Sequence, residues 1–323
     1  MKASVIIPAH DCDLTLPHAI ASVNEAAKAV GENAVEVVVS WDREGHGPSW
    51  ARNRGLDRAT GDCVFFCDAD DTVEKDFLAQ PMAALERTGA DICLFAYNGC
   101  PPLQNYTLEG AKQIRAAYLP AFFGYSFADV RRWNDGGDLY LLKEPGSVCR
   151  CAFRRSFLER NAIRFDESMT FYEDAAFLAH CVAFAEKTVS LSDVLYCYRP
   201  RPGGNLASGS NSRRHWDYKF LVLEFRQRLD ALVREHDGGG EGVWKYCAAS
   251  CVFSALEMLK LGRRAGLSRR ERRDGLRAYL ADAAVKQALA DFPCGLRHPL
   301  TALAVAYLRW LASGRKGSGG NRE

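Results

Sequence analysis

Along the first third of the chain, apolar positions fall into two alternating patterns. Short unbroken runs read as buried strands: Val5-Ile6-Ile7, Val35-Glu36-Val37-Val38-Val39, Cys63-Val64-Phe65-Phe66-Cys67 and Ile92-Cys93-Leu94-Phe95. Between the first two runs, Leu16, Ile20, Val23, Ala27 and Val30 recur at helical spacing until Gly31 stops them. Residues 49–59 read as a second helix, with Ser49 as its cap and Gly61 just past its end. Residues 74–87 read as a third, stopped by Gly89. Strand–helix alternation with near-continuous apolar strands predicts an α/β fold with a mostly parallel sheet covered on both faces.

The pattern loosens in the middle. Residues 98–110 and 124–147 are rich in Gly, Pro, Asn and aromatics and read as loops over a binding face. Residues 171–187 read as a helix, and Tyr196 to Arg199 as an edge strand. The Pro/Gly/Ser/Asn-rich stretch 199–212 is the predicted domain boundary. Beyond it the chain is helical. Val222, Phe225, Leu229 and Leu232 form a stripe, residues 243–261 are apolar nearly all round, and Ser268 and Glu271 have capping-box spacing. Leu296, Leu300, Leu303, Tyr307 and Leu311 form a last stripe, with Arg297, Arg309, Arg315 and Lys316 around it. The expected organisation is a domain over 1–210, a helical extension over 211–312 and a disordered tail over 313–323.

Composition narrows the classes. A hydrophobic fraction of 48% and a charged fraction of 25% are those of an ordinary folded protein. A net charge of +2 gives no general drive toward nucleic acid. The twelve cysteines do not read as a disulfide framework. Cys63, Cys67, Cys93, Cys181, Cys247 and Cys251 sit inside apolar runs, and no C-x-x-C pair occurs. The chain opens directly into a strand, with no signal-peptide core and no run long enough to span a bilayer. A reducing, cytoplasmic location follows as the expectation.

Candidate chemistry gathers at the strand ends. In an open parallel sheet, ligands bind outside the carboxyl ends of the strands. The first strand is followed by His10 and Asp11, the second by Ser40, Trp41 and Asp42, and the third by Asp68-Ala69-Asp70-Asp71. Gathered carboxylates are costly without a cation, and magnesium or manganese takes such oxygen ligands and bridges them to phosphates. The other reading of the quartet is an ordinary acidic turn. Neither G-x-G-x-x-G after the first strand nor G-x-x-x-x-G-K-[ST] is present, which disfavours dinucleotide and P-loop folds. Arg52 could reach a diphosphate, or could belong to a solvated first turn with Arg54 and Arg58. Glu173-Asp174 could supply a general base for an acceptor hydroxyl, or could simply favour a helix N-terminus. His180 reads as a packed histidine, while His10 and His46 lie on loops near strand ends. Arg199 and Arg201 have readings as phosphate or surface cations, and the surface is preferred for Arg201.

The ordered series SVIIPAH, ARNRGLDRATGD, FFCDADD, FYEDAAFL and YCYRPRPGG resembles family 2 glycosyltransferases, of the bacterial type that builds capsular, exopolysaccharide or lipopolysaccharide chains. SVCRCAFRRSFLERNAIRFDESMTFYED is similar to the same subgroup, and the resemblance covers residues 3–205. It implies a GT-A fold, a nucleotide-sugar donor and inversion at the anomeric carbon. It implies Asp68 at the donor ribose or metal, Asp70 as ligand of a divalent cation, Mn2+ or Mg2+, and Asp174 as catalytic base with Glu173 beside it. Arg52 and Asn53 match the family's pair near the nucleotide, and Pro8 to Asp11, including His10, its first nucleotide loop. The chain departs from the family after the second strand. Paired acids and Gly-Ser are usual there, but it reads Ser40-Trp41-Asp42-Arg43-Glu44, leaving Asp42 as the candidate base contact. His10 and Asp11 stand where Tyr and Asn are usual, and UDP is the default nucleotide.

The expected function is transfer of a sugar to a glycan or lipid-linked hydroxyl in cell-surface polysaccharide synthesis. A sugar nucleotidyltransferase would show a Gly-rich, Arg/Lys-bearing loop after the first strand, which Pro8-Ala9-His10-Asp11 is not. A non-catalytic carbohydrate-binding protein of this fold would be expected to lack the acids that are present here. The last stripe has two readings, packing on the helical extension or peripheral contact with an anionic membrane. The first is preferred, because the stripe is short and modestly apolar.

Overall fold

The computed structural model describes residues 1–99, 103–137, 146–169, 172–199 and 212–313. Among them the chain runs β1 (Ala3–Ala9), α1 (Leu16–Ala27), β2 (Val35–Trp41), α2 (Pro48–Arg58), β3 (Cys63–Phe66), β4 (Thr72–Val73), α3 (Ala79–Thr88) and β5 (Ile92–Tyr97). It continues through β6 (Tyr106–Glu109), α4 (Ala111–Phe123), α5 (Phe127–Asn134), β7 (Cys151–Arg154), α6 (Arg155–Arg160), α7 (Glu173–Phe184) and β8 (Lys187–Cys197). Five further helices close it: α8 (Ser212–His236), α9 (Ala248–Arg264), α10 (Arg269–Ala281), α11 (Ala283–Asp291) and α12 (Pro299–Ala312). The chain divides into two compact units, Met1–Phe122 with Glu144–Ser208, and Phe123–Lys143 with Gly209–Glu323. The segment from Phe123 to Lys143, read from sequence with the first domain, thus clusters with the C-terminal helices.

The first unit is built on one sheet of order β2-β1-β3-β7-β5-β8-β4, with β6 also paired to β8. β1 pairs parallel with β2 and β3, and β5 pairs parallel with β8. β7 is antiparallel to both β3 and β5, so β5 runs the same way as β3. The sheet is therefore mixed but mostly parallel in direction. Its core is aromatic: Phe65, Phe66, Phe77, Phe95, Phe153 and Phe177 are all buried.

Two local features open the carboxyl edge. Pro8 has no N–H to donate, and the β1–β3 ladder ends at Ile6, whose carbonyl takes the Cys67 amide at 3.0 Å. Beyond that point β3 leaves β1 and the acidic quartet begins. Gly55 lets α2 lie against β1, since a Cβ there would come within 2.3 Å of the Ile6 side chain.

Several elements differ from expectation. The N-cap of α2 is Gly47, with Pro48 in the first turn, and the Ser49 hydroxyl instead donates to the Met169 carbonyl at 3.1 Å. α3 begins at Ala79 rather than near Glu74, α1 ends at Ala27, and α7 ends at Phe184. The expected edge strand at Tyr196 is the end of the long β8, flanked by β5, β4 and β6. The stretch 124–147, read as loop, contains α5, opened by a reciprocal capping box between Ser126 and Asp129. That box was legible but was masked by the surrounding Gly and aromatic residues. The boundary stretch 199–212 with Arg201, the expected tail and Phe171 lie largely outside the described residues.

The second unit has its own core, in which Trp216, Val252, Tyr279, Leu280, Leu289, Val305 and Leu308 are buried. The Ser268–Glu271 capping box forms as the sequence predicts. Arg309 of α12 closes the end of α11, donating to the carbonyls of Leu289, Ala290 and Phe292 at 2.7, 3.2 and 3.0 Å.

Candidate active site

The acidic quartet follows β3 at the edge where β1 and β2 also end. Asp68 and Asp70 are half-exposed while Ala69 between them is buried. Asp71 is buried. The sequence suggests a cap for the next turn, but its carboxylate accepts from the Tyr196 hydroxyl at 2.6 Å and the Arg199 amide at 2.7 Å. The Asp68 amide also donates to the Tyr196 oxygen, at 3.2 Å. One phenol of β8 therefore braces two residues of the quartet, a role without any local sequence signal.

Arg52 organises the site. The solvated-turn reading is wrong: its side chain is 4% exposed and turned inward from α2. Its guanidinium lies 3.0 Å from Asp68, 2.8 Å from Asp174 and 3.4 Å from Glu173. Two acidic motifs far apart in sequence thus meet on one cation. Burial works against the Arg52 charge, but Asp174, Asp68 and Glu173 outweigh it and hold the guanidinium firmly protonated. Asn53, expected near the nucleotide, is instead a bracket. Its amide nitrogen donates to the Phe165 carbonyl and to Glu167 at 3.0 and 2.8 Å, and its oxygen accepts from the Phe165 amide at 3.0 Å.

The acid pair opens α7. Glu173 and Asp174 occupy its first turn, and the Val148 amide donates to Asp174 at 3.3 Å. Tyr172, just before them, sits at φ 72°, a left-handed conformation that bulky residues rarely adopt. Its phenol is anchored on the Phe122 carbonyl. Burial pushes the Asp174 carboxyl up to about 7; Arg52 opposes this, while Glu173 and Asp68 reinforce it.

The β2–α2 loop is held from within. Asp42 is buried, and its carboxylate accepts from the Gly45 and Gly47 amides at 2.9 and 2.7 Å and lies 3.1 Å from His46 Nδ1. Asp42, the candidate base contact, therefore shapes the loop from within. His10 Nδ1 lies 2.6 Å from the Asp42 carbonyl, tying the first loop to the second. Asp11 is exposed at φ 44°. His46 stacks on Trp50 with ring centroids 4.6 Å apart, making a flat face beside these loops. Trp50 was not singled out from the sequence.

Opposed shifts predict a bell-shaped stability profile. Burial raises Asp71 to about 7, against its bonds from Tyr196 and Arg199. Burial also opposes ionisation of Asp42, but the Gly47, His46 and Gly45 bonds hold it down to about 2. A carboxyl raised on folding binds its proton more tightly in the folded state. Stability from Asp71 and Asp174 is therefore present at low pH and lost as pH rises from about 4 to about 7. The Asp42 contribution is present above about 4 and lost as pH falls toward about 2. Thermal unfolding in chelator-treated buffer should give a maximum near about pH 4, and Asp71→Asn should flatten the alkaline limb. A melting temperature still rising between pH 5 and 8 would contradict these assignments.

The mostly parallel sheet followed by C-terminal helices is the GT-A fold. The S. aureus TarS 1–349 crystal structure superposes with a TM-score of 0.55 at 19% identity, over 97% of this chain and 91% of that one. Residues 36–110 match the profile of Glycosyl transferase family 2. The succinoglycan biosynthesis protein ExoO of Rhizobium meliloti (strain 1021) is 27% identical over 166 residues, 51% of this chain and 45% of that protein. The uncharacterized glycosyltransferase EpsJ of Bacillus subtilis (strain 168) is 28% identical over 169 residues, 48% of this chain and 43% of that protein. The matches thus span less than half the length of these curated relatives. Within residues 36–110 the chain is thus similar to the family 2 glycosyltransferases.

Proposed function

We propose that this protein transfers a sugar from a nucleotide-sugar, with UDP as the nucleotide, to a hydroxyl of a glycan or lipid-linked acceptor in cell-surface polysaccharide synthesis. The observation that carries the reading is the single guanidinium of Arg52 joining Asp68 to Asp174. It brings the donor-side acids and the candidate base to one point at the carboxyl edge of the sheet. Relatives named for succinoglycan and minor teichoic acid biosynthesis support the substrate class. The TarS fragment, crystallised with UDP and with UDP-GlcNAc, supports the donor.

The residues at the quartet fit a hard divalent cation. Asp68 and Asp70 offer two half-exposed carboxylates, and magnesium or manganese at such sites is held by one or two carboxylates plus substrate phosphates. When bound, the cation offsets negative charge on the departing diphosphate. The protein's own residues do the rest. Asp174, with Glu173 beside it, takes the acceptor proton as the hydroxyl attacks the anomeric carbon, with inversion. Pro8, His10, Asp11 and the Asp42-shaped loop form the wall for the nucleoside. Arg52 positions Asp68 and Asp174 against each other. The catalytic domain corresponds to the first unit, and the cytoplasm is the compartment. Among the described residues no helix is long and apolar enough to cross a membrane.

A panel of nucleotide-sugars with and without manganese tests the reading by thermal shift. A cognate donor at about a hundred times its Kd should stabilise the fold by about 2.7 kcal/mol. Asp70→Asn should remove the manganese-dependent part. Equal stabilisation of this variant and wild type would refute the metal role.

A further inference from the structure

We infer that α12 is a docking face for an anionic phospholipid surface. The face belongs to the second unit and does not depend on the transfer reaction. The helix has two apolar sides. Val305 and Leu308 are fully buried in the core of the unit. On the other side Leu300, Leu303, Tyr307 and Trp310 are 81, 68, 49 and 46% exposed, and Leu296 just ahead of the helix is 100% exposed. At 100° per residue those four positions fall within an arc of about 80°. The sequence reading preferred packing of this stripe on the extension. The structure instead packs the opposite side and leaves the stripe in solvent. Half of the large hydrophobics exposed among the described residues lie on this one segment. Scattered apolar residues need no explanation, but a contiguous row does.

Charge selects the occupant. Between Asp291 and Glu323 the sequence has no carboxylate, but has Arg297, Arg309, Arg315, Lys316 and Arg322. The spacing 296, 300, 303, 307, 310 would also suit a coiled-coil seam. A second copy would then set cation against cation, with no acid on the facing helix to answer them. A surface of acidic headgroups answers this excess of positive charge, Arg309 adding its charge while its donors stay on the α11 carbonyls. Tyr307 and Trp310 stack at a centroid distance of 6.0 Å. They supply the amphipathic rings that favour the headgroup boundary, and the leucines supply the part that enters it. With 14 residues the helix lies on a bilayer and does not span it.

Vesicle flotation of the whole chain tests this. The chain should float with phosphatidylcholine vesicles containing phosphatidylglycerol, remain behind with phosphatidylcholine alone, and be released by salt. Leu300→Glu with Leu303→Glu should lower binding at least about tenfold while leaving the circular dichroism and melting temperature unchanged, because both side chains are in solvent. Arg297→Ala should lower it about fivefold. Failure of the wild type to bind phosphatidylglycerol vesicles would overturn the proposal, as would equal binding to neutral ones. So would a dimer in sedimentation equilibrium that the double substitution converts to monomer, since a second copy would then be the occupant.

Discussion

Arg52→Ala should lower the unfolding free energy by about 3–5 kcal/mol, measured by urea denaturation at neutral pH. An exposed ion pair would lose no more than about 1 kcal/mol, so burial decides the size of the effect. The Arg52 side chain is 4% exposed, and Asp68, Glu173 and Asp174 all converge on it. Without the guanidinium, three carboxylates stand together with no cation among them. The loss is a large share of the total stability of a domain, commonly about 5–15 kcal/mol. It should shrink at pH 5, where protonation relieves the repulsion. Manganese should restore more stability to the variant than to wild type, since a second cation can then take the place of the first. A loss below about 1 kcal/mol would show that the cluster is not held by its charge.

Asp174→Asn is expected to lower turnover of the cognate nucleotide-sugar by about 10²–10⁴-fold, the range for loss of a general base. Binding should change little. Asparagine keeps an oxygen for the Val148 amide and relieves one like-charge contact with Glu173. The expected pattern is a fall in kcat with a nearly constant KM and an unchanged donor-induced thermal shift. A variant with normal kcat would move the base elsewhere, with Glu173 as the next candidate. A collapse of both kcat and donor binding would mark Asp174 as a structural partner of Arg52 instead.

The acids of the site were legible because acidic residues after a buried strand are conspicuous in any reading of the chain. Their partners were not. Arg52, Arg54 and Arg58 share one helix, and spacing alone does not tell the buried arginine from the two that face outward. Asn53 matched a family motif, yet its amide is taken up by the backbone of a segment distant in sequence, a contact no local pattern encodes. Tyr196 lies at the end of a strand and reaches Asp71 only because β8 is placed beside β4. The loop-holding role of Asp42 was not legible, because the Gly45 and Gly47 amides that claim it leave no trace in hydrophobic periodicity.

The sequence by itself determined the alternation of strands and helices, the carboxyl edge as the place for chemistry and the identity of the acids there. These follow from local periodicity and from the cost of gathering charge, which neighbouring residues express directly. The tertiary structure alone decided which charges meet, which polar groups are used up in holding loops, and which side of α12 remains in solvent. Those outcomes depend on strand order and helix packing between distant segments, where burial turns an ordinary arginine into the centre of the site.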